Sequence, residues 1–175
     1  MMIAITGTPG TGKTRLSEEL RLREYEVLDL DEHIRKNGLL GNRDNKRDTY
    51  CVDTDRLDIS LEEYRTKELI FIEGHISHCV NCDRIIVMRC APDMLAERLG
   101  KRGYSDGKVT ENVQAEILDV ILCEASECGV PVFELDSSED SVAITADRID
   151  CIVAGNTDKY LPGNVNWTGE LEKWF

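Results

Sequence analysis

Gly7-Thr8-Pro9-Gly10-Thr11-Gly12-Lys13-Thr14 fits G-x-x-x-x-G-K-[ST], a pattern whose glycines let consecutive backbone N–H groups turn inward around phosphate oxygens. The residues on either side supply the context this pattern needs. Met2-Ile3-Ala4-Ile5-Thr6 is short and apolar enough for a buried strand, and Leu16 and Leu20 recur at helical spacing in a run free of Gly and Pro. Strand, glycine loop and helix in that order set the loop over a helix N-terminus, whose dipole favours an anion. The expected contacts to the nucleotide are then Gly10, Thr11, Gly12, Lys13, Thr14 and Arg15, with Arg98 from farther along the chain. Lys13 reaches the β- and γ-phosphates, and the Thr14 hydroxyl ligates Mg2+.

Around this loop lie 175 residues, 41% of them hydrophobic, enough for one core and too few to need a second. Lys+Arg 21 against Asp+Glu 34 leaves a net charge of −13. Such a surface repels phosphate backbones and suits a basic protein partner, so no direct nucleic-acid binding is expected. Seven cysteines, no leader-like start and no apolar run of membrane-spanning length point to reduced thiols and a cytoplasmic protein without a membrane anchor. Most of those cysteines are expected as small buried hydrophobes.

Further along, Tyr25–Leu30 reads as a second strand, and Asp31-Glu32 opens a short helix carrying His33 and Arg35. From Gly38 to Thr49 the chain is polar and rich in Gly and Asn, as in a surface excursion. Asp53-Thr54-Asp55 starts a helix with Leu57, Leu61 and Tyr64 on one face. Leu69-Ile70-Phe71-Ile72-Glu73 suits a central parallel strand ending in a carboxylate, and Arg84–Arg89 a fourth strand. Pro92-Asp93 begins a helix with Leu95 and Leu99. One long helix is expected from the spacing of Val113, Ile117 and Ile121, ending near Gly129. Val132–Leu135 after Pro131 reads as an edge strand, and Ser137-Ser138 as the cap of a last helix striped by Val142, Ala146, Ile149 and Val153. The tail, residues 155–175, lacks periodicity but holds Trp167 and Trp174, which suits docking on the body or on a partner. The alternation predicts a three-layer α/β P-loop NTPase domain with a five-stranded parallel sheet, its ligands at the carboxyl ends of the strands.

Several side chains carry candidate chemistry. Glu73, ending the third strand, reads as a carboxylate of the Mg2+ shell, directly or through water, and His75 as a group that orients a nucleophile or water. Arg98, Lys101, Arg102 and Lys108 form a basic island in an acidic chain. Phosphoryl transfer gathers negative charge on the moving group, and Arg98 and Arg102 are the arginines expected to close over it. His75, His78, Cys79 and Cys82 can be drawn as a zinc set, but four ligands crowded into eight residues lack the usual intervening loop, so no zinc is expected. A guanine-specific switch is disfavoured, because Asn156-Thr157-Asp158-Lys159 has the wrong order for N-K-x-D.

From Ile3 to about Ala154 the chain resembles the adenylate kinase isoenzyme 6 family, also called coilin-interacting nuclear ATPase, and its archaeal adenylate kinase branch. The marks are the glycine loop, Glu73-Gly74-His75, Arg98-Leu99-Gly100-Lys101-Arg102-Gly103-Tyr104 and the stretch Lys108–Glu116. The resemblance implies a nucleoside monophosphate kinase fold with an acceptor-binding segment at about 30–53 and a short lid at about 98–108. It implies phosphorylation of AMP by Mg-ATP, a slower ATPase, and a role in small-subunit ribosomal RNA maturation through a ribosomal protein of the S11 type. Arg35 becomes a candidate ligand of the AMP phosphate. The family's eukaryotic pattern after the third strand is Asp-x-His, where this chain carries the longer Glu73.

Overall fold

The computed structural model describes residues 1–44 and 49–175. At its centre β1 (Met2–Thr6) lies between β5 (Ile70–Glu73) and β6 (Arg84–Arg89); β2 (Val27–Asp29) and β7 (Val132–Asp136) form the edges. All pairings in the order β2-β5-β1-β6-β7 are parallel, as five apolar runs separated by helices require. Successive side chains of β1 point to opposite faces. Ile3 and Ile5 pack under α1 (Lys13–Leu22) and α7 (Val142–Val153), meeting Leu16, Leu20, Ala146 and Ile149. On the other face Met2 joins Leu30, Ile34, Leu57 and Leu61 from α2 (Leu30–Lys36), α3 (Thr54–Ser60) and the turn after α3. Ala4 joins Leu122 and Ala125 of α6 (Val120–Ser126). The direction of chain travel reverses between β5 and β6, and the crevice outside β1 at that switch is where the glycine loop sits.

Several expectations are corrected. The second strand is shorter than Tyr25–Leu30, because Asp29 turns to cap α2, accepting from the Glu32 amide at 2.8 Å, and Leu30 is already helical. The polar stretch 38–49 includes one arm of an antiparallel hairpin, β3 (Leu40–Asp44) with β4 (Thr49–Val52), detached from the main sheet. Its first strand is largely polar and its second is only four residues long, so no alternation reveals them. Within the expected acceptor segment, residues 45–48 lie outside the described residues.

The single long helix is two, α5 (Asp106–Ile117) and α6, broken where Asp119 takes a left-handed φ of 55° and turns its carboxylate to Arg89. The cap of α7 is Ser141, whose hydroxyl accepts from the Ile144 amide at 3.4 Å. Ser137 instead sits with its hydroxyl 2.6 Å from the Thr11 carbonyl and 2.8 Å from that of Arg89, and Ser138 accepts from the Ala91 amide at 2.7 Å. Of the cysteines only Cys90 is buried; Cys51, Cys79, Cys123 and Cys128 are exposed, and all seven are free. They lie mainly in the hairpin and near helix ends, where small size does not imply burial.

The helix α4 (Pro92–Lys101) begins at its proline as expected and packs Leu95 and Leu99 against Val113 and Ile117 of α5. The tail closes this cluster: Trp167 and Trp174 pack on it, and Gln114 Nε2 donates to the Trp174 carbonyl at 2.6 Å. The amides of Gly163, Asn164 and Val165 converge on Glu134 Oε2 at 3.0, 3.1 and 3.2 Å. Among the described residues no helix is long and apolar enough to cross a membrane.

Candidate active site

The glycine loop is held in a conformation that only glycine tolerates at two points. Gly7 has φ 138°, and a Cβ there would lie 2.3 Å from the Met88 carbonyl oxygen; Gly10 has φ 96°, and its Cβ would meet Leu95 Cδ1 at 2.8 Å. The helix α1 then starts at Lys13 without a side-chain cap, leaving the amides of its first turn to an anion. Lys13 is 7% exposed and folds back, donating to the carbonyls of Gly7 at 2.7 Å and Thr8 at 3.1 Å. Burial pulls its ammonium down to about 8, against the opposing charges of Glu73, Asp31 and Glu116. Glu73 is buried at the end of β5, and that desolvation raises its carboxyl while Lys13 opposes the shift. His75, two residues on, has Nδ1 3.8 Å from Asp31 Oδ1; desolvation lowers its ring below the usual histidine value, so it is mainly neutral near pH 7.

Two clefts meet at the loop, and a third joins the first at Asp31 and His75. The first, about 510 Å³, is walled by Gly10, Gly12, Lys13, Thr14, Glu73 and His75 on the sheet side and by Arg102, Tyr104, Lys108 and Asn112 opposite. The second, about 420 Å³, shares Gly10, Gly12 and Arg102 with it and adds Arg15, Leu16, Met88, Arg98 and Thr145. The third, about 380 Å³, shares Asp31 and His75 and runs out to Ile34, Arg35, Tyr50, Val52 and Thr54 under the hairpin.

Most of the expected site residues are thereby brought together. Lys13, Thr14, Glu73, His75 and Arg102 meet in the first cleft, and Arg15 and Arg98 line the second. Arg98 does not hang free over the first cleft. Its guanidinium donates to the Ser137 carbonyl at 3.1 Å, the Gly10 carbonyl at 3.4 Å and Cys90 Sγ at 3.2 Å, which suits holding the loop and flanking the second cleft. Thr11 lines none of the three; it is buried within the loop, its hydroxyl donating to the Thr8 carbonyl at 2.9 Å. Arg35 stands in the third cleft, its Nε donating to the Asp31 carbonyl at 3.1 Å. Lys108 belongs to α5 and lies 5.0 Å from the centre of the Tyr104 ring. His78 is turned away from any metal role: Nδ1 lies 2.9 Å from Thr6 Oγ1 and Nε2 3.1 Å from Glu124 Oε2. Among the described residues no group of three or more His, Cys, Asp or Glu is arranged to hold a metal ion.

Sequence reasoning missed the polar cluster behind the loop. Arg89, 1% exposed at the end of β6, donates to Glu116 Oε1 at 2.7 Å and also contacts Glu134 and Asp119. Glu116 in turn accepts the Thr8 hydroxyl at 2.5 Å. A charged residue directly after the apolar run Ile85–Met88 was the available signal, but its partners lie 27 to 45 positions downstream. The donor set facing the first cleft suits Mg2+. The Thr14 hydroxyl and Glu73 carboxylate are oxygen donors in one space, and this ion takes few protein ligands beside phosphate and water.

A family model described as an AAA domain matches residues 3–119. Over 177 residues the chain is 45% identical to the protein named "Putative adenylate kinase" in Methanocaldococcus jannaschii, covering 100% of this chain and 96% of that one. The protein of the same name in Archaeoglobus fulgidus is 38% identical over 98% of this chain and 94% of its own. The chain belongs to this archaeal adenylate kinase family. It is a kinase-type P-loop enzyme of that family by sequence, and its fold agrees. A shikimate kinase from Bacteroides thetaiotaomicron superposes with a TM-score of 0.61 at 18% identity, over 88% of this chain and 98% of that one. A deoxyadenosine kinase from M. mycoides superposes at 0.55 and 16% identity, over 89% and 100%.

Proposed function

We propose that this family member is a nucleoside monophosphate kinase that converts ATP and AMP to two ADP. The observation that carries this is the arrangement of the clefts: two flank a central phosphate cleft and each shares wall residues with it. Donor base and sugar occupy the side of Arg15, Arg98 and Thr145; the acceptor occupies the side of Arg35 and Tyr50, with residues 30–53 as acceptor segment and 98–108 as lid. When nucleotide binds, Lys13 Nζ leaves the Gly7 and Thr8 carbonyls for the β- and γ-phosphates. An AMP phosphate oxygen bonds to the γ-phosphorus as the bond from that phosphorus to the β–γ bridging oxygen breaks, so the donor departs as ADP. Arg102 and Lys108, on the wall opposite Lys13, offset the charge that spreads over the transferring oxygens. Thr14 and Glu73 would hold Mg2+, which would supply positive charge to offset that of the phosphates. No strong general base is needed, since positioning and charge carry most of this chemistry.

A second reading is favoured by His75, which borders both the phosphate cleft and the acceptor cleft and faces Asp31. A neutral imidazole there can orient water in place of AMP. The protein would then be an ATPase switch in the cytoplasm that releases a basic ribosomal protein of the S11 type during maturation of small-subunit RNA, in keeping with a net charge of −13. The deciding experiment is ADP production from Mg-ATP with AMP, with other nucleoside monophosphates and without acceptor. AMP stimulation with stoichiometric AMP consumption is expected; ADP release indifferent to AMP overturns the kinase reading in favour of the switch. Lys13→Ala should abolish turnover on either reading.

A further inference from the structure

Thr8 stands at the crest of the P-loop, 3% exposed, and is tied at both ends. Its carbonyl accepts from Thr11 N at 3.2 Å, Thr11 Oγ1 at 2.9 Å and Lys13 Nζ at 3.1 Å. Its hydroxyl donates to Glu116 Oε2 at 2.5 Å. The other oxygen of Glu116 accepts from Arg89 Nε at 2.7 Å and from the Cys90 amide at 3.1 Å, so the carboxylate cannot swing away without losing both. Arg89 is itself fixed by Glu134, whose second oxygen takes the three tail amides. Earlier turns of the same helix, at Lys108, Glu111, Asn112 and Ala115, wall the phosphate cleft.

We propose that Glu116 is a positioning residue that, through the Thr8 hydroxyl, holds the crest of the P-loop in its phosphate-cradling shape and ties that shape to the helix walling the cleft. The need arises from the loop's own chemistry. Gly7, Gly10 and Gly12 all sit at positive φ, and a glycine-rich loop loses more freedom on ordering than any other. Without nucleotide, Lys13 steadies the loop by donating to its carbonyls. Phosphate takes that donor away at the moment order matters most; Thr11 Oγ1 still holds the Thr8 carbonyl, and Glu116 is the contact that ties Thr8 to an element outside the loop. A loop already ordered binds more tightly, because less entropy is lost on binding.

The inference rests on the nucleotide-binding half of the proposed function, and its test is separable from the kinase reading. Calorimetric binding of Mg-ADP to the full chain is compared for wild type, Thr8→Val, Thr8→Ser, Glu116→Gln and the Thr8→Val/Glu116→Gln double variant, with adenosine as a phosphate-free probe. Removing the hydroxyl or the charge should each weaken Mg-ADP about tenfold, the worth of one charge-assisted hydrogen bond. The double variant should bind no more weakly than the weaker single variant, because both changes cut one contact. Thr8→Ser should stay within about twofold of wild type, and adenosine should be unaffected throughout. Unchanged Mg-ADP affinity in Thr8→Val overturns the inference, as do losses that multiply in the double variant or an equal loss for adenosine. If Glu116→Gln fails to fold, Thr8→Val against Thr8→Ser decides alone. A wild type that binds Mg-ADP but does not consume AMP defeats the kinase reading and leaves this comparison standing.

Discussion

Replacing Arg89 with methionine keeps an unbranched apolar stem but removes the guanidinium that lies among Glu116, Glu134 and Asp119. Glu116 and Glu134 are each 3% exposed, so both would be left as buried carboxylates without their cation. Breaking a buried pair by deleting one partner costs about 3–5 kcal/mol. The lower half of that range is expected here, because Glu116 keeps the Thr8 hydroxyl and Cys90 amide and Glu134 keeps the three tail amides. Asp119, more than a third exposed, adds little. For a chain of this size the loss corresponds to a fall in Tm of roughly 6–15 °C.

The assay is urea and thermal unfolding of wild type and Arg89→Met at pH 7. Arg89→Met/Glu116→Gln/Glu134→Gln, which removes all three charges, should recover at least half the loss. A deficit under about 1 kcal/mol, or no recovery in the triple variant, would refute the reasoning.

Three further outcomes are expected. Lys13, drawn down to about 8 by burial, binds phosphate as the ammonium, so Mg-ADP affinity should weaken about tenfold from pH 7 to pH 9; Lys13→Met should bind weakly with little slope, and an equal slope in that variant would contradict the assignment. Gly10→Ala places a methyl 2.8 Å from Leu95 Cδ1 at φ 96°, whereas Gly38→Ala at φ 62° meets nothing within 4 Å. Urea unfolding should show a loss of about 1 kcal/mol at Gly38, from backbone strain alone, and a clearly larger one at Gly10. Tyr50→Ala, at the rim of the third cleft, should raise the KM for AMP and leave that for ATP unchanged, and a rise for ATP alone would reverse the donor and acceptor sides.

The parts of the fold legible in the chain were those whose signal is local. The runs at 2–6, 70–73 and 84–89 became the central strands, because a parallel strand covered on both faces is apolar along its middle and leaves polar residues to its ends. Lys13, Thr14, Glu73 and His75 could be chosen because each stands within two residues of a strand or loop end that topology sends to the same crevice. Arg98 was chosen for its charge, but its charge alone could not indicate that it would bond the Gly10 and Ser137 carbonyls instead of standing free. The hairpin at 40–52 was missed because its pairing lies in the backbone, its first strand is largely polar and its second is only four residues long. The break between α5 and α6 was missed because Val113, Ile117 and Ile121 keep helical spacing across it; the cause, Asp119 reaching Arg89, is a contact across 30 residues.

By itself, then, the sequence determined the layer order, the phosphate loop and the family, since glycine torsions, strand burial and helix periodicity are consequences of neighbours along the chain. Only the tertiary structure decided that Thr8, Glu116, Arg89, Glu134 and the tail amides form one connected set behind that loop. Hydrogen bonds and buried charges choose their partners by distance in space, and that distance exists only once the sheet has fixed its order and the helices have packed upon it.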